Sequence, residues 1–311
     1  MWEPTTSPPP VPGARQGILI IAGVGDNRDN PQLINLSESL AHVGVVVMTM
    51  TTNTLISYTL SPSEADATVR AFETLLHWPG IGSTRVGILG LSAGNAPASL
   101  AAADPRIRRQ VAFLTFFGGF FNARDLIADI GRRALIVGDK LEAWQPDPVP
   151  LSVLANTMAG TLSPGEARKF KAAFDPDHPT PLTPDQVARL SPPAAAAYHI
   201  LIGDQPDQVQ RNIAALSSEM LRLLEEVSPS TVVNRISAPI YLLHDRSDSF
   251  VPFTESVNYA AALARLHHPH QFVQFSIFQH TEVSGALDFD SLLRDAPQLF
   301  LIVHTVMLRS T

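Results

Sequence analysis

Val86-Gly87-Ile88-Leu89-Gly90-Leu91-Ser92-Ala93-Gly94-Asn95-Ala96-Pro97-Ala98 is the stretch whose reading decides the fold. Val86 to Leu89 is a short apolar run with branched side chains, the pattern of a buried strand. Ala93 to Ala103 is rich in small residues and suits a helix packed closely on a sheet. Between them Gly-x-Ser-x-Gly makes a sharp turn. Gly90 and Gly94 remove the Cβ atoms that would strike the neighbouring strand and helix. A serine at the apex of such a turn has its hydroxyl at the C-terminal edge of a sheet. The helix that starts beneath it favours developing negative charge.

Outward from this turn, apolar runs alternate with helical patterns. Gly17 to Ala22, Val43 to Met50, Val111 to Phe117, Pro239 to His244 and Gln271 to Phe278 read as further strands. They are apolar on both faces, so the sheet is expected to be mostly parallel and covered by helices. Leu33, Leu36 and Leu40 recur at helical spacing after Pro31. Val69, Phe72, Leu75 and Leu76 do so after Ser61-Pro62-Ser63-Glu64, which reads as a capping serine, a first-turn proline and an N3 glutamate. The fold class is therefore α/β, a doubly wound, mostly parallel sheet. From 122 to 237 strand-like runs become sparse. Ser163-Pro164-Gly165-Glu166 and Thr183-Pro184-Asp185-Gln186 look like helix starts. Ile213 to Val227 reads as one amphipathic helix with Leu216, Met220, Leu223 and Leu224 on its apolar stripe. The expected organisation is a core of 14–121 and 238–311, a mainly helical insertion at 122–237, and a flexible Pro-rich start at 1–13.

The strand–turn–helix context makes the glycine-flanked serine a nucleophile elbow. A serine hydroxyl attacks poorly until a base takes its proton, and an acid must orient that base. Both are expected later in the chain, acid first. His244-Asp245-Arg246-Ser247-Asp248-Ser249-Phe250-Val251-Pro252 follows a strand, which puts Asp248 on the loop at the same sheet edge as Ser92. Asp245 lies at the strand end and reads as a turn or capping group. His267, His268 and His270 precede the last strand and so fall at the wrong edge. His304 sits in an apolar terminal stretch, His42 and His77 at distant helix ends, and His178 and His199 in the insertion. His280 follows the last strand, 32 residues after Asp248, and is the expected base.

These three ordered motifs resemble the α/β-hydrolase superfamily, within it the dienelactone hydrolase and acyl-peptidase-like serine esterase branch. His244 to Pro252 is similar to that branch's H-G-x-x-D-x-x-V-P signature, with Asp248 at the acid position and Asp245 in place of glycine. The resemblance implies an oxyanion hole made by the backbone N–H groups of Val24 and Ala93. The loop Ala22-Gly23-Val24-Gly25 is similar to the family's His-Gly-x-Gly, with Ala22 replacing the bracing histidine. It lacks the full phosphate-loop pattern, so a nucleotide site is disfavoured. The insertion falls where this superfamily carries a cap. Phe120, Phe121 and Leu91 are the expected pocket residues, and Trp144 with 145–150 the rim. The implied activity is carboxylic-ester hydrolysis through an acyl-enzyme, with no metal and no cofactor. A peptidase, thioesterase or acyltransferase would use the same triad. A non-catalytic binding protein on this fold often lacks a triad member, and here all three positions are filled.

Bulk composition excludes other classes. The net charge of -7 leaves no basic footprint, so nucleic acid is not an expected partner. With no cysteine, disulfides and thiolate chemistry are excluded. Residues 1–13 contain no apolar signal segment and no stretch spans a bilayer, which leads to the expectation of a soluble, cytoplasmic protein acting on a small-molecule ester. The family's sheet usually opens with one or two strands before the one ending at Ala22. Only residues 1–16 precede Gly17 here, so an exposed edge strand and a homodimer are expected.

Overall fold

The structure, a computed structural model, describes residues 15–276, 278–279 and 282–283. The chain runs β1 (Arg15–Ile21), α1 (Pro31–His42), β2 (Val45–Met50), α2 (Asn53–Ile56), α3 (Glu64–Leu76), β3 (Ile81–Leu91), a 3-10 turn (Ser92–Gly94), α4 (Asn95–Ala102) and β4 (Val111–Phe117). Then come α5 (Ala123–Arg132), a hairpin of β5 (Ala134–Val137) and β6 (Lys140–Ala143), α6 (Pro148–Ala159), α7 (Pro164–Ala173), α8 (Pro184–Val187), α9 (Pro192–Ile202), α10 (Val209–Ala214) and α11 (Ser218–Glu226). β7 (Ile240–Asp245), α12 (Thr254–Arg265) and β8 (His270–Phe275) complete the central layer.

Six strands form one sheet in the order β2-β1-β3-β4-β7-β8, and every pairing in it is parallel. Parallel strands need crossovers, and the helices between them supply the cover on both faces. One face packs Leu19, Ile21, Val86, Ile88, Leu114 and Phe116 with α3, α4 and α12. The other buries Ile18, Ile20, Val45, Val47 and Phe113 with Leu33 of α1. The helices after β4 form a separate apolar cluster of their own, which reaches the sheet edge through Ala93, Ala96, Phe120 and Val251.

Local signals explain most element starts. Asn30, Thr52, Asp147, Ser163 and Thr183 each accept a first-turn N–H with the side chain, and Thr183 with Gln186 completes a capping box. Three expectations need correction. Ser61 does not cap α3, which begins at Glu64; Glu64 instead turns inward and accepts from the hydroxyls of Thr52 (2.7 Å) and Thr54. Ile213 to Val227 is not one helix. Ser217 caps a new start by accepting the Met220 N–H, so the stripe is split between α10 and α11. The last strand of the sheet ends at Phe275, short of Phe278. The β5–β6 hairpin had no clear alternation to reveal it. No helix among the described residues is long and apolar enough to cross a membrane.

Candidate active site

Ser92 sits at the end of β3, in the centre of the sheet, with φ of +51°. A serine in the left-handed region is strained, and it stays there because both flanking glycines allow a contact that nothing else would fit. A Cβ on Gly94 would lie 2.2 Å from the carbonyl oxygen of Ile21, and one on Gly90 2.7 Å from the Cα of Asn95. The turn is thus clamped between β1 and α4.

The loop after β1 runs past the serine. A Cβ on Gly23 would stand 3.1 Å from the Ser92 Cβ. Ala22 leaves this loop without a bracing histidine, and Asn27 does the bracing instead. Its Nδ2 donates to the carbonyl oxygens of Gly23 (3.1 Å), Val24 (3.1 Å) and Gly25 (3.2 Å). The Gly25 N–H is tied to Leu55 O at 2.9 Å. In the sequence Asn27 reads only as a turn former, because asparagine is common in any loop.

Asp248 follows β7 and is buried, with 1% exposure. Its Oδ1 accepts the N–H groups of Phe250 (2.7 Å) and Val251 (3.0 Å). Among the described residues one histidine touches it: His244 Nε2 lies 3.3 Å from Asp248 Oδ2. His244 also has its Nε2 2.9 Å from Val251 O and its Nδ1 2.7 Å from Ser256 Oγ. A carbonyl only accepts, so Nε2 donates to Val251, while the Ser256 hydroxyl pairs with Nδ1. Both ring nitrogens are committed, which makes His244 a brace of the loop after β7. Asp245 closes a turn, its Oδ1 accepting from Ser247 N (2.7 Å) and Ser247 Oγ (2.6 Å). Residues between β4 and β7 also hold the loop after β7. Trp144 Nε1 donates to Asp248 O at 2.8 Å, Asp147 N donates to Ser249 O at 2.8 Å, and Arg246 pairs with Glu142 of β6. His280 lies outside the described residues, as does His304.

A small open cleft of about 40 Å³ lies at Ser92. Val24 and Ala93 line it beside the serine, Phe250 and Val251 enter from the loop after β7, and Val153 and Leu154 from α6. Its walls are apolar, as those of ligand clefts commonly are. Of the expected pocket residues Phe120 lines the cleft, while Phe121 and Leu91 do not. Phe121 packs its ring 4.5 Å from that of Tyr259 in the core, and Leu91 packs against the cluster on the α1 face of the sheet. Phe116 and Phe117 are core packing too, against Tyr259 and Phe275.

The loop bearing Phe120 is held from two sides. Asn95 Nδ2 donates to Phe120 O at 2.6 Å, across a contact that only a glycine at 119 permits. Glu255 Oε2 accepts the N–H groups of Phe121 (2.7 Å) and Asn122 (2.8 Å). Glu255 is fully buried, and burial pushes its pKa up to about 8, although the two N–H donors oppose the shift. Asp129 nearby is pushed up to about 6 by burial, against the pull of Arg132. At Glu255 the folded state keeps its proton to a higher pH than the unfolded chain, whose carboxyl titrates near 4.5. The stability it contributes is full below about pH 4.5 and declines as pH rises to about 8. Glu255→Gln is expected to flatten this slope, measured as Tm against pH; an unchanged slope would refute the buried-acid account.

No family model matches the sequence, and no curated protein matches it. Solved structures do. A Mycobacterium tuberculosis puromycin-hydrolyzing peptidase aligns with 90% of this chain at 16% identity and a TM-score of 0.51. Thermogutta terrifontis esterase 2 aligns with 97% of it at 14% identity and a TM-score of 0.51, and 87% of the esterase is covered. Porphyromonas gingivalis dipeptidyl peptidase 4 aligns with 92% at 12% identity and a TM-score of 0.50. This chain spans about a third of the length of the two peptidases, 33% and 31%. With its parallel sheet and the strained serine turn at the sheet's centre, the chain has the α/β-hydrolase fold.

Proposed function

We propose that the chain is a serine hydrolase that cleaves carboxylic esters, with 122–237 as a cap over the reaction site. The observation that carries this reading is the left-handed Ser92 at the mouth of an apolar cleft, flanked by Val24 and Ala93. In the proposed reaction Ser92 Oγ attacks the ester carbonyl while His280 takes its proton. The N–H groups of Val24 and Ala93 hold the oxyanion, each contributing about 3 kcal/mol to the transition state. The alcohol leaves with the proton from His280, and an acyl-serine remains. Water then attacks it, giving a proton to His280, and His280 returns that proton to Ser92 Oγ as the acid departs. Asp248 orients the imidazole and stabilises its charged form. The reading of His280 is supported by β8, which runs parallel to β7 and ends at Phe275, on the sheet edge where β3 ends; His280 follows five positions later in the sequence. The cap reading is supported by Leu126, Val149, Pro150, Val153 and Leu154, which the insertion contributes to the cleft.

Thermogutta terrifontis esterase 2, one of the proteins of like fold, is phosphonylated by sarin. A fluorophosphonate probe uses the same chemistry. Labelling of the wild type and its loss in Ser92→Ala is the expected result, and labelling retained in that variant would refute the nucleophile. Asn27→Ala is expected to lower kcat on a p-nitrophenyl ester about 10- to 100-fold with little change in KM, because misplacing an oxyanion donor costs most in the transition state. An unchanged kcat would separate Asn27 from the reaction.

A further inference from the structure

Helix α6 borders two clefts, and only the first contains Ser92. Val149, Pro150, Val153 and Leu154 face the apolar one. Ser152 and Asn156, one turn apart, face a second, open cleft of about 250 Å³ that is more polar. Tyr58, Lys171, Asp175 and Asp177 line it from the other side. Ser152 is 4% exposed, so the little surface it keeps is on this cleft. A nearly buried hydroxyl gains from a partner that a ligand could supply there. Asn156 donates through Nδ2 to Ser57 O at a long 3.4 Å, which leaves its second N–H and its carbonyl for the cleft. Lys171 makes no ion pair with either aspartate among the described residues, although all three line the same cleft. Asp175 Oδ1 accepts the N–H groups of Asp177 (3.0 Å) and His178 (2.8 Å).

The second cleft borders the serine loop through Tyr58. A Cβ on Gly25 would lie 3.4 Å from the Tyr58 hydroxyl. Tyr58 therefore reaches from the polar cleft to the loop that carries Val24.

We propose that this second cleft binds a neutral polyhydroxylated group such as a pyranose ring. Two carboxylates oppose an anion, and an ammonium beside them opposes a cation. A sugar ring satisfies both signs at once. Its hydroxyls donate to Asp175 and Asp177 and accept from Lys171 and Asn156, while Ser152 does either. The group is either the alcohol half of the ester, in which case the inference rests on the proposed hydrolysis, or a separate saccharide.

Methyl β-D-glucopyranoside titrated into the full chain, followed by saturation-transfer NMR, tests the site directly. Saturable binding is expected in the wild type and in Ser92→Ala. In Lys171→Ala/Asp177→Ala, two exposed positions, affinity is expected to fall about tenfold or more, as charge-assisted hydrogen bonds are lost. Ser152→Val, with its fold checked by circular dichroism, is expected to weaken binding as well. Absence of binding, binding indifferent to the double variant, or preference for glycine, acetate or choline over the glycoside overturns the proposal. A kinetic arm then separates the sources. If the sugar is the alcohol half, the double variant loses kcat/KM on 1-O-acetyl-β-D-glucose and keeps it on p-nitrophenyl acetate. If the saccharide is separate, both rates persist while glycoside binding is lost. Wild-type inactivity on p-nitrophenyl acetate would strike the Ser92 reading and leave the binding result standing.

Discussion

Ser92→Ala is expected to reduce ester turnover to background, a fall in kcat on the order of 10^4- to 10^6-fold. The loss would come without unfolding, because Ser92 is half-buried and its neighbours Gly90 and Gly94 hold the turn. Stability should move the other way in a companion variant. Ser92 has a φ of +51°, a conformation that costs a non-glycine residue about 1–3 kcal/mol. Ser92→Gly removes that strain, so its Tm is expected to exceed those of both the wild type and Ser92→Ala, with activity equally absent. Urea or thermal unfolding of the three proteins checks this. A Ser92→Gly variant less stable than the wild type would mean that the turn stores no strain.

Gly94→Ala is expected to be the most damaging single methyl in the molecule. The added carbon would lie 2.2 Å from Ile21 O, 2.7 Å from Ala22 O and 2.9 Å from Ile21 C, all backbone at the end of β1. No side chain can swing aside, so either β1 or the serine turn must move. Overpacking in a rigid core commonly costs about 1–3 kcal/mol and more where backbone is struck, and misplacement by about 1 Å at a reacting centre costs about 100-fold in rate. The expected outcome is low soluble yield, a depressed Tm and loss of fluorophosphonate labelling in whatever folds. Gly165→Ala serves as control, since a Cβ there meets nothing within 4 Å. Equal behaviour of the two variants would remove the close-packed turn as the reason for this glycine.

The serine turn was legible because everything it needs is local. A strand, two glycines and a small-residue helix lie within a few residues of Ser92, and each leaves a mark in residue type. The place of Asp248, though not its role, was legible for a related reason: β7 is apolar and parallel, so its following loop must reach the edge where β3 ends. Glu255 left no such mark. A glutamate in the first turn of a helix ordinarily faces solvent near the helix dipole. Here α12 abuts the loop after β4, and the carboxyl is drawn inside to meet the N–H groups of Phe121 and Asn122.

Phe120 and Phe121 mark the boundary most sharply. They are adjacent, identical in type and on an irregular loop, so no periodicity distinguishes them. Asn95 pulling on the Phe120 carbonyl and Glu255 holding the Phe121 amide decide which ring meets the cleft. The cleft itself draws on residues 24, 60, 92–93, 120, 126, 149–150, 153–154 and 250–251, which only the packed sheet and helices bring together. Sequence alone determined the layered α/β architecture and the strained serine, because hydrophobic period and glycine placement act over short range. Tertiary structure alone decided the shape of the cleft, the bracing of its loop by Asn27 and the polar second cleft behind α6. Those depend on contacts between segments far apart in the chain, whose directions no local pattern specifies.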